Sequence, residues 1–196
     1  MMAAMKKVAV VLGLAYGIAF SFAVGAQQPA GDGPRYTNGT NLVRPDYREW
    51  PFLGSGLGMT YQPSTGSQPA TPSFTNVFVN PSSYRSFMQT GKWPDGTVLV
   101  LEIRRSDSEA SINKGGRFQT VFTGLEAHVK DSRFQDGWAF FNLGRAESAE
   151  RLSDAAAATC VECHIKNAAV ERTFVQFYPT LFEVAKAKGT VATASR

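Results

Sequence analysis

Cys160-Val161-Glu162-Cys163-His164 is the stretch whose residue types and spacing can do chemistry. Two thiols three positions apart can each add to one vinyl group of a porphyrin, and a histidine directly after them can bring its imidazole under the iron. The spacing therefore points to a covalent c-type haem site, with Cys160 and Cys163 as thioether links and His164 as proximal metal ligand. Two other chemistries use a Cys-x-x-Cys pair. Zinc needs further ligands of the right kind, and the sequence holds two cysteines and two histidines in all, the second histidine being His128. A dithiol oxidoreductase sets its pair after a strand in a βαβ unit, whereas the run before this pair, Ser153 to Thr159, is alanine-rich.

His128 is the next candidate. As a second axial ligand it would close the iron into a six-coordinate electron-transfer site; as an acid or base it would suit proton-coupled chemistry. A surface or dimer-interface histidine is the bland alternative. Met59 and Met88 are the sulfur ligands left once the leader is removed, and each reads more simply as core. Arg104 and Arg105 close a strand, where one could meet a haem propionate or both could blunt an edge.

These residues need an export route and a scaffold. Lys6 and Lys7, the apolar run Val8 to Val24 and the small-residue site Val24-Gly25-Ala26 read as a secretory signal peptide over residues 1–26, cleaved near Ala26, with the mature protein in the periplasm. Removing 26 of the 196 residues leaves 170, enough for one domain with its own core. The formal charge drops with the two lysines from +4 to +2, which gives no argument for nucleic acid. Two cysteines in one motif exclude a disulfide framework in an exported chain.

Residues 27–45, rich in Gly, Pro, Asn and Thr, read as an extended lead-in or linker before a domain over 46–190 and a tail at 191–196. Asp46 to Phe52 is a short helical turn, and in the glycine-rich Leu53 to Met59 that follows the lone glycines mark turns. SFTNVFVN, from Ser73 to Asn80, alternates as a strand with Phe74, Asn76 and Phe78 on one face. Asn80-Pro81 opens a helix to Thr90. Thr97 to Arg105 and Arg117 to Lys130 read as paired strands, the second with Gly124 marking a bulge or a close approach. Trp138 to Leu143 is a third strand. From Ser148 the character turns helical through the Cys-x-x-Cys-His motif; Asn167 to Tyr178 has helical periodicity, and Pro179 separates it from a last helix to Lys188. The fold class is α+β: a mostly antiparallel sheet, flanking helices and a C-terminal helix bearing the haem. No methionine follows His164, so the other side of the haem must meet residues that precede Cys160.

The strand SFTNVFVN, the helix after Asn80, the turn WPDGTVLV, the strand ending LEAHVKD, the segment DGWAFF and the terminal CVECH followed by FVQFYPTL together resemble the cytochrome P-460 family. The similarity runs in matching order from about Tyr47 to Lys188. It implies a haem c whose distal face rests on the sheet, in a homodimer. Hydroxylamine-oxidising relatives carry a lysine cross-linked to the porphyrin on the strand after the Pro-Asp-Gly turn. That position matches Leu101 here, and neither Val100 nor Glu102 supplies a lysine. A distal carboxylate that takes protons from a nitrogen substrate matches Glu126. Gas-binding relatives cap the distal pocket with phenylalanines, a lid that Leu101 with Phe74 or Phe78 would supply. Three functions stay open: binding of nitric oxide or a similar small ligand, oxidation of hydroxylamine or action on peroxide, and electron carriage to a redox partner cytochrome.

Overall fold

The computed structural model describes residues 31–60 and 71–192, within one unit spanning Gly31–Arg196. The signal-peptide expectation for residues 1–26 falls outside the described residues, as do residues 193–196 of the tail.

Alternating residues from Ser73 onward build an antiparallel meander. Its strands are β3 (Phe52–Leu57), β4 (Ser73–Val79), β5 (Val98–Asp107), β6 (Phe118–Lys130) and β7 (Trp138–Asn142), in that spatial order. A second, small sheet joins β1 (Tyr36–Thr37), β2 (Asn41–Val43) and β8 (Ser148–Ala149). The helices are α1 (Pro81–Thr90), α2 (Asp154–Asn167) and α3 (Pro179–Lys188). The class is α+β, as composition and pattern imply.

Register decides which side of the large sheet does what. Val77 pairs with Leu101 and Leu101 with Glu126, while Leu99 pairs with His128 and His128 with Phe140. Paired residues share a face, so Thr75, Val77, Leu99, Leu101, Glu126, His128, Phe140 and Asn142 all project to one side. At one end of that side, Val79 and Leu99 pack with Phe87, Trp93, Leu181 and Ala185 around α1 and α3. The opposite side buries Val98, Val100, Leu125, Val129 and Phe141 under Leu42 and Tyr47. A register shift after Ile103, opposite Gly124, is the irregularity that the glycine signals.

Two segments differ from expectation. Part of the lead-in is paired, since Leu42 opposes Ala149 and is buried beneath the sheet. Phe52–Leu57 is a strand because Gly54 and Gly56 lie beside Val77 and Thr75 on the same face; a Cβ at Gly54 would sit 2.9 Å from the Phe177 carbonyl. At the start of α1 the side chain of Asn80 does not cap. Its Oδ1 accepts from the Val98 N–H, and the Asp32 carboxylate takes the Ser82 N–H instead.

On the side away from the helices Glu102 is buried, 1% exposed, and accepts from Tyr47 Oη, Asn76 Nδ2 and Arg104 Nε, with Arg48 at 2.5 Å. Burial alone would raise its pKa, but those donors outweigh it and hold the carboxyl at about 2, below its ordinary 4.5. A depressed carboxyl contributes stability above its ordinary value and loses it as pH falls through the folded one. Acid unfolding should therefore draw about 3 kcal/mol from this group between pH 4.5 and about 2. Urea melts of Glu102→Gln across that range should show a lower plateau at neutral pH and a flatter acid limb.

Candidate functional site

Ser153 opens α2 by accepting the Ala156 N–H, and Asp154 in the first turn with Lys166 in the last suits the helix dipole. Residues three and four apart share a helix face, so Cys160, Cys163 and His164 point together. They line a cavity of about 510 Å³ whose far wall is the sheet, including Val77, Leu101, Glu126, His128, Phe140 and Asn142. That volume lies within the range of sites for organic cofactors. Of α2's residues only Ala157 is buried; the inner side of the helix faces the cavity, apart from the His164 ring, which packs against His128, Phe140 and Phe174.

His164 Nδ1 lies 2.6 Å from the Arg172 carbonyl oxygen. A carbonyl only accepts, so Nδ1 carries the proton and Nε2 keeps its lone pair, the arrangement a metal-binding imidazole requires. Burial lowers the His164 pKa, against the opposing pull of the Arg172 carbonyl, and favours the neutral ring. The carbonyl is delivered by a turn from Val170 to Thr173 in which Glu171 and Arg172 have φ of 43° and 65°. Such conformations cost about 1–3 kcal/mol for each non-glycine residue. This turn and the 3-10 turn Val175–Phe177 replace the expected helix over 167–178.

The Cys-x-x-Cys alternatives find little support. Burial and the nearby Glu126 carboxylate push the Cys160 thiol up, the reverse of what a nucleophilic thiolate needs. Among the described residues no three side chains from His, Cys, Asp and Glu converge as a metal cluster. A haem fits. Both thiols are unpaired, the sheet wall is mostly apolar, and His128 Nε2 on that wall is buried without a hydrogen-bond partner. A buried orphan costs about 1–3 kcal/mol.

Not every expected residue arrives. Phe74 pairs with Arg104 and Phe78 with Val100, which turns both rings to the other side of the sheet, where Phe78 packs on Tyr47 and Phe52. The apolar wall beside Leu101 is Val77 instead, with Phe174 and Phe177 from the segment after α2. His128 stacks on Phe140 at 4.1 Å and on Trp138 at 4.3 Å, and its ring centre is 4.7 Å from that of His164. Two imidazoles on opposite sides of one metal, each bonded at about 2.0–2.1 Å, hold their nitrogens about 4 Å apart and their ring centres farther still. At 4.7 Å the two rings are therefore too close to flank one metal from opposite sides. Burial, then His164 and Arg172, keep His128 neutral. Met59 and Met88 are both exposed, contrary to a core role, and Met59 lies on the cavity rim. Arg104 is engaged by Glu102 and the Thr120 carbonyl.

Leu101 and Glu126 do face the cavity side by side. Solvent reaches Glu126 through the opening, yet the surrounding protein raises its pKa by desolvation. Sequence reasoning missed Asn142, which pairs with Glu126 on the same wall, and the Arg172 carbonyl. The strand alternation of β7 carries a signal for the first; a backbone atom leaves none.

A family model described as cytochrome P-460 matches residues 44–175. No curated protein matches the chain.

Proposed function

The chain belongs to the cytochrome P-460 family and is on that ground a haem c cytochrome, and from that premise we propose that it is an exported mono-haem protein that binds a small diatomic or nitrogenous ligand. Cys160 and Cys163 would hold the haem through thioethers and His164 Nε2 would ligate the iron. The observation that carries this reading is the 2.6 Å contact between His164 Nδ1 and the Arg172 carbonyl, which leaves Nε2 as the metal-binding atom. Bound there, a haem would supply an iron able to take up a small ligand. Nitric oxide or a molecule of similar size suits an apolar wall built from Val77, Leu101 and Phe140. With the His128 and His164 ring centres 4.7 Å apart, the two cannot flank one iron, and the sequence holds no third histidine.

A second reading is supported by Glu126. Its carboxylate sits beside Cys160 on the cavity wall, and its raised pKa makes it a stronger base than an exposed glutamate. In this reading Glu126 accepts a proton from hydroxylamine during its oxidation, with electrons leaving to a redox partner cytochrome. We assign proton transfer to Glu126 alone, because the neutral ring of His128 is enclosed by Trp138 and Phe140. Leu101 in place of a lysine speaks for ligand binding over oxidation. The proposal extends to a periplasmic location and a homodimer.

Optical titration of the haem-loaded protein tests both. A high-spin ferric spectrum and stoichiometric uptake of nitric oxide are expected; a low-spin spectrum with a thioether charge-transfer band would identify Met59 as a sixth ligand and overturn the open site. Hydroxylamine turnover that rises with pH through the elevated Glu126 pKa, and falls on the order of 100-fold or more in Glu126→Gln, would establish the enzyme.

A further inference from the structure

Glu171 lies outside the cavity lining, and its carboxylate turns back to the body of the protein. One oxygen accepts the Trp93 backbone N–H at 2.6 Å and the other accepts from Lys130 Nζ at 2.9 Å. Lys130 Nζ also donates to the Trp93 carbonyl at 2.7 Å. Trp93 is buried, 2% exposed, and its Nε1 donates at 2.8 Å to Thr173 Oγ1, which in turn donates to the Val170 carbonyl at 2.6 Å. Glu171, the first of the left-handed pair, and Thr173, which follows the pair, are thus both tied to a single buried tryptophan. Between the two ties stands Arg172, whose carbonyl holds His164.

We infer that Glu171, acting through Lys130 and Trp93, is a positioning residue that sets the strength of the Arg172–His164 hydrogen bond and with it the electron donation of His164 to a bound iron. This rests on the reading of His164 as iron ligand. The physical link is direct. A short Nδ1–H···O bond gives the imidazole more anionic character, which strengthens its bond through Nε2 and favours the oxidised metal. The two left-handed residues relax toward ordinary backbone unless something over-determines them. Glu171 supplies that restraint from outside the site. An ion pair this exposed adds little to stability alone, so a purely structural role predicts silence at the iron.

The test uses the full-length, haem-loaded protein. In Glu171→Ala the ferrous iron–histidine stretch seen by resonance Raman should shift to lower frequency and the midpoint potential should rise, with the circular dichroism of the fold unchanged. Lys130→Met, which leaves the Glu171–Trp93 bond in place, should move both readouts in the same direction by less. If Glu171→Ala does not load haem, Lys130→Met alone decides. Stretch and potential at wild-type values in a folded variant would overturn the inference. A wild-type protein that binds haem but shows no iron–histidine stretch would overturn the ligation reading, and the clamp along with it.

Discussion

Protein carrying Cys160→Ser and Cys163→Ser together, produced in a host competent in haem ligation, is expected to retain no pigment after acid-acetone extraction and denaturing electrophoresis. A hydroxyl does not add to a vinyl group as a thiol does, so no covalent link forms, and only His164 is left to hold a haem. The loss should reach beyond colour. α2 buries one residue, Ala157, and otherwise packs through the His164 ring, so a haem in the cavity would supply much of the helix's missing core. Losing a partner held at about a thousandfold above its dissociation constant removes about 4 kcal/mol. For a chain of this size that lowers Tm on the order of 10 °C. Limited proteolysis should then cut first within 154–167. Thioether-linked haem in the double variant would refute the assignment of both sulfurs.

His164→Ala separates ligation from tethering. The pigment should remain attached through Cys160 and Cys163, while the ferrous iron–histidine stretch disappears. Free imidazole fits the space vacated between Phe140, Phe174 and His128, whose rings lie 5.0, 4.4 and 4.7 Å from that of His164. Adding it should restore the stretch. A variant spectrum identical to wild type would place the proximal ligand elsewhere.

Much of this was legible in the residues themselves. The strands from Ser73 to Asn142 declare themselves by alternation, and Asn80-Pro81 and Pro179 mark helix starts that the structure keeps. The alternation of β4 gave the right partition of its side chains but not which half meets the cavity. That depends on Asn76 and Glu102, which turn their face toward Tyr47 and a buried polar cluster. Two glycines hid β3, because their use lies in what they leave room for, such as the Phe177 carbonyl against Gly54. The periodicity of Asn167 to Tyr178 promised a helix. Tertiary bonds from Trp93 and Lys130 to Glu171 and Thr173 hold the chain in a turn instead, and local pattern carries no trace of partners some 40 to 80 positions away. The closeness of His128 to His164 follows from strand register across β6 and β7, which single residues do not reveal.

The thin packing of α2 also bears on the order of assembly. The sheet, α1 and α3 complete their own interior without it, so the chain can finish most of its architecture before α2 is packed. A haem entering the space of about 510 Å³ beneath α2 would then complete the packing that the polypeptide alone leaves unfinished.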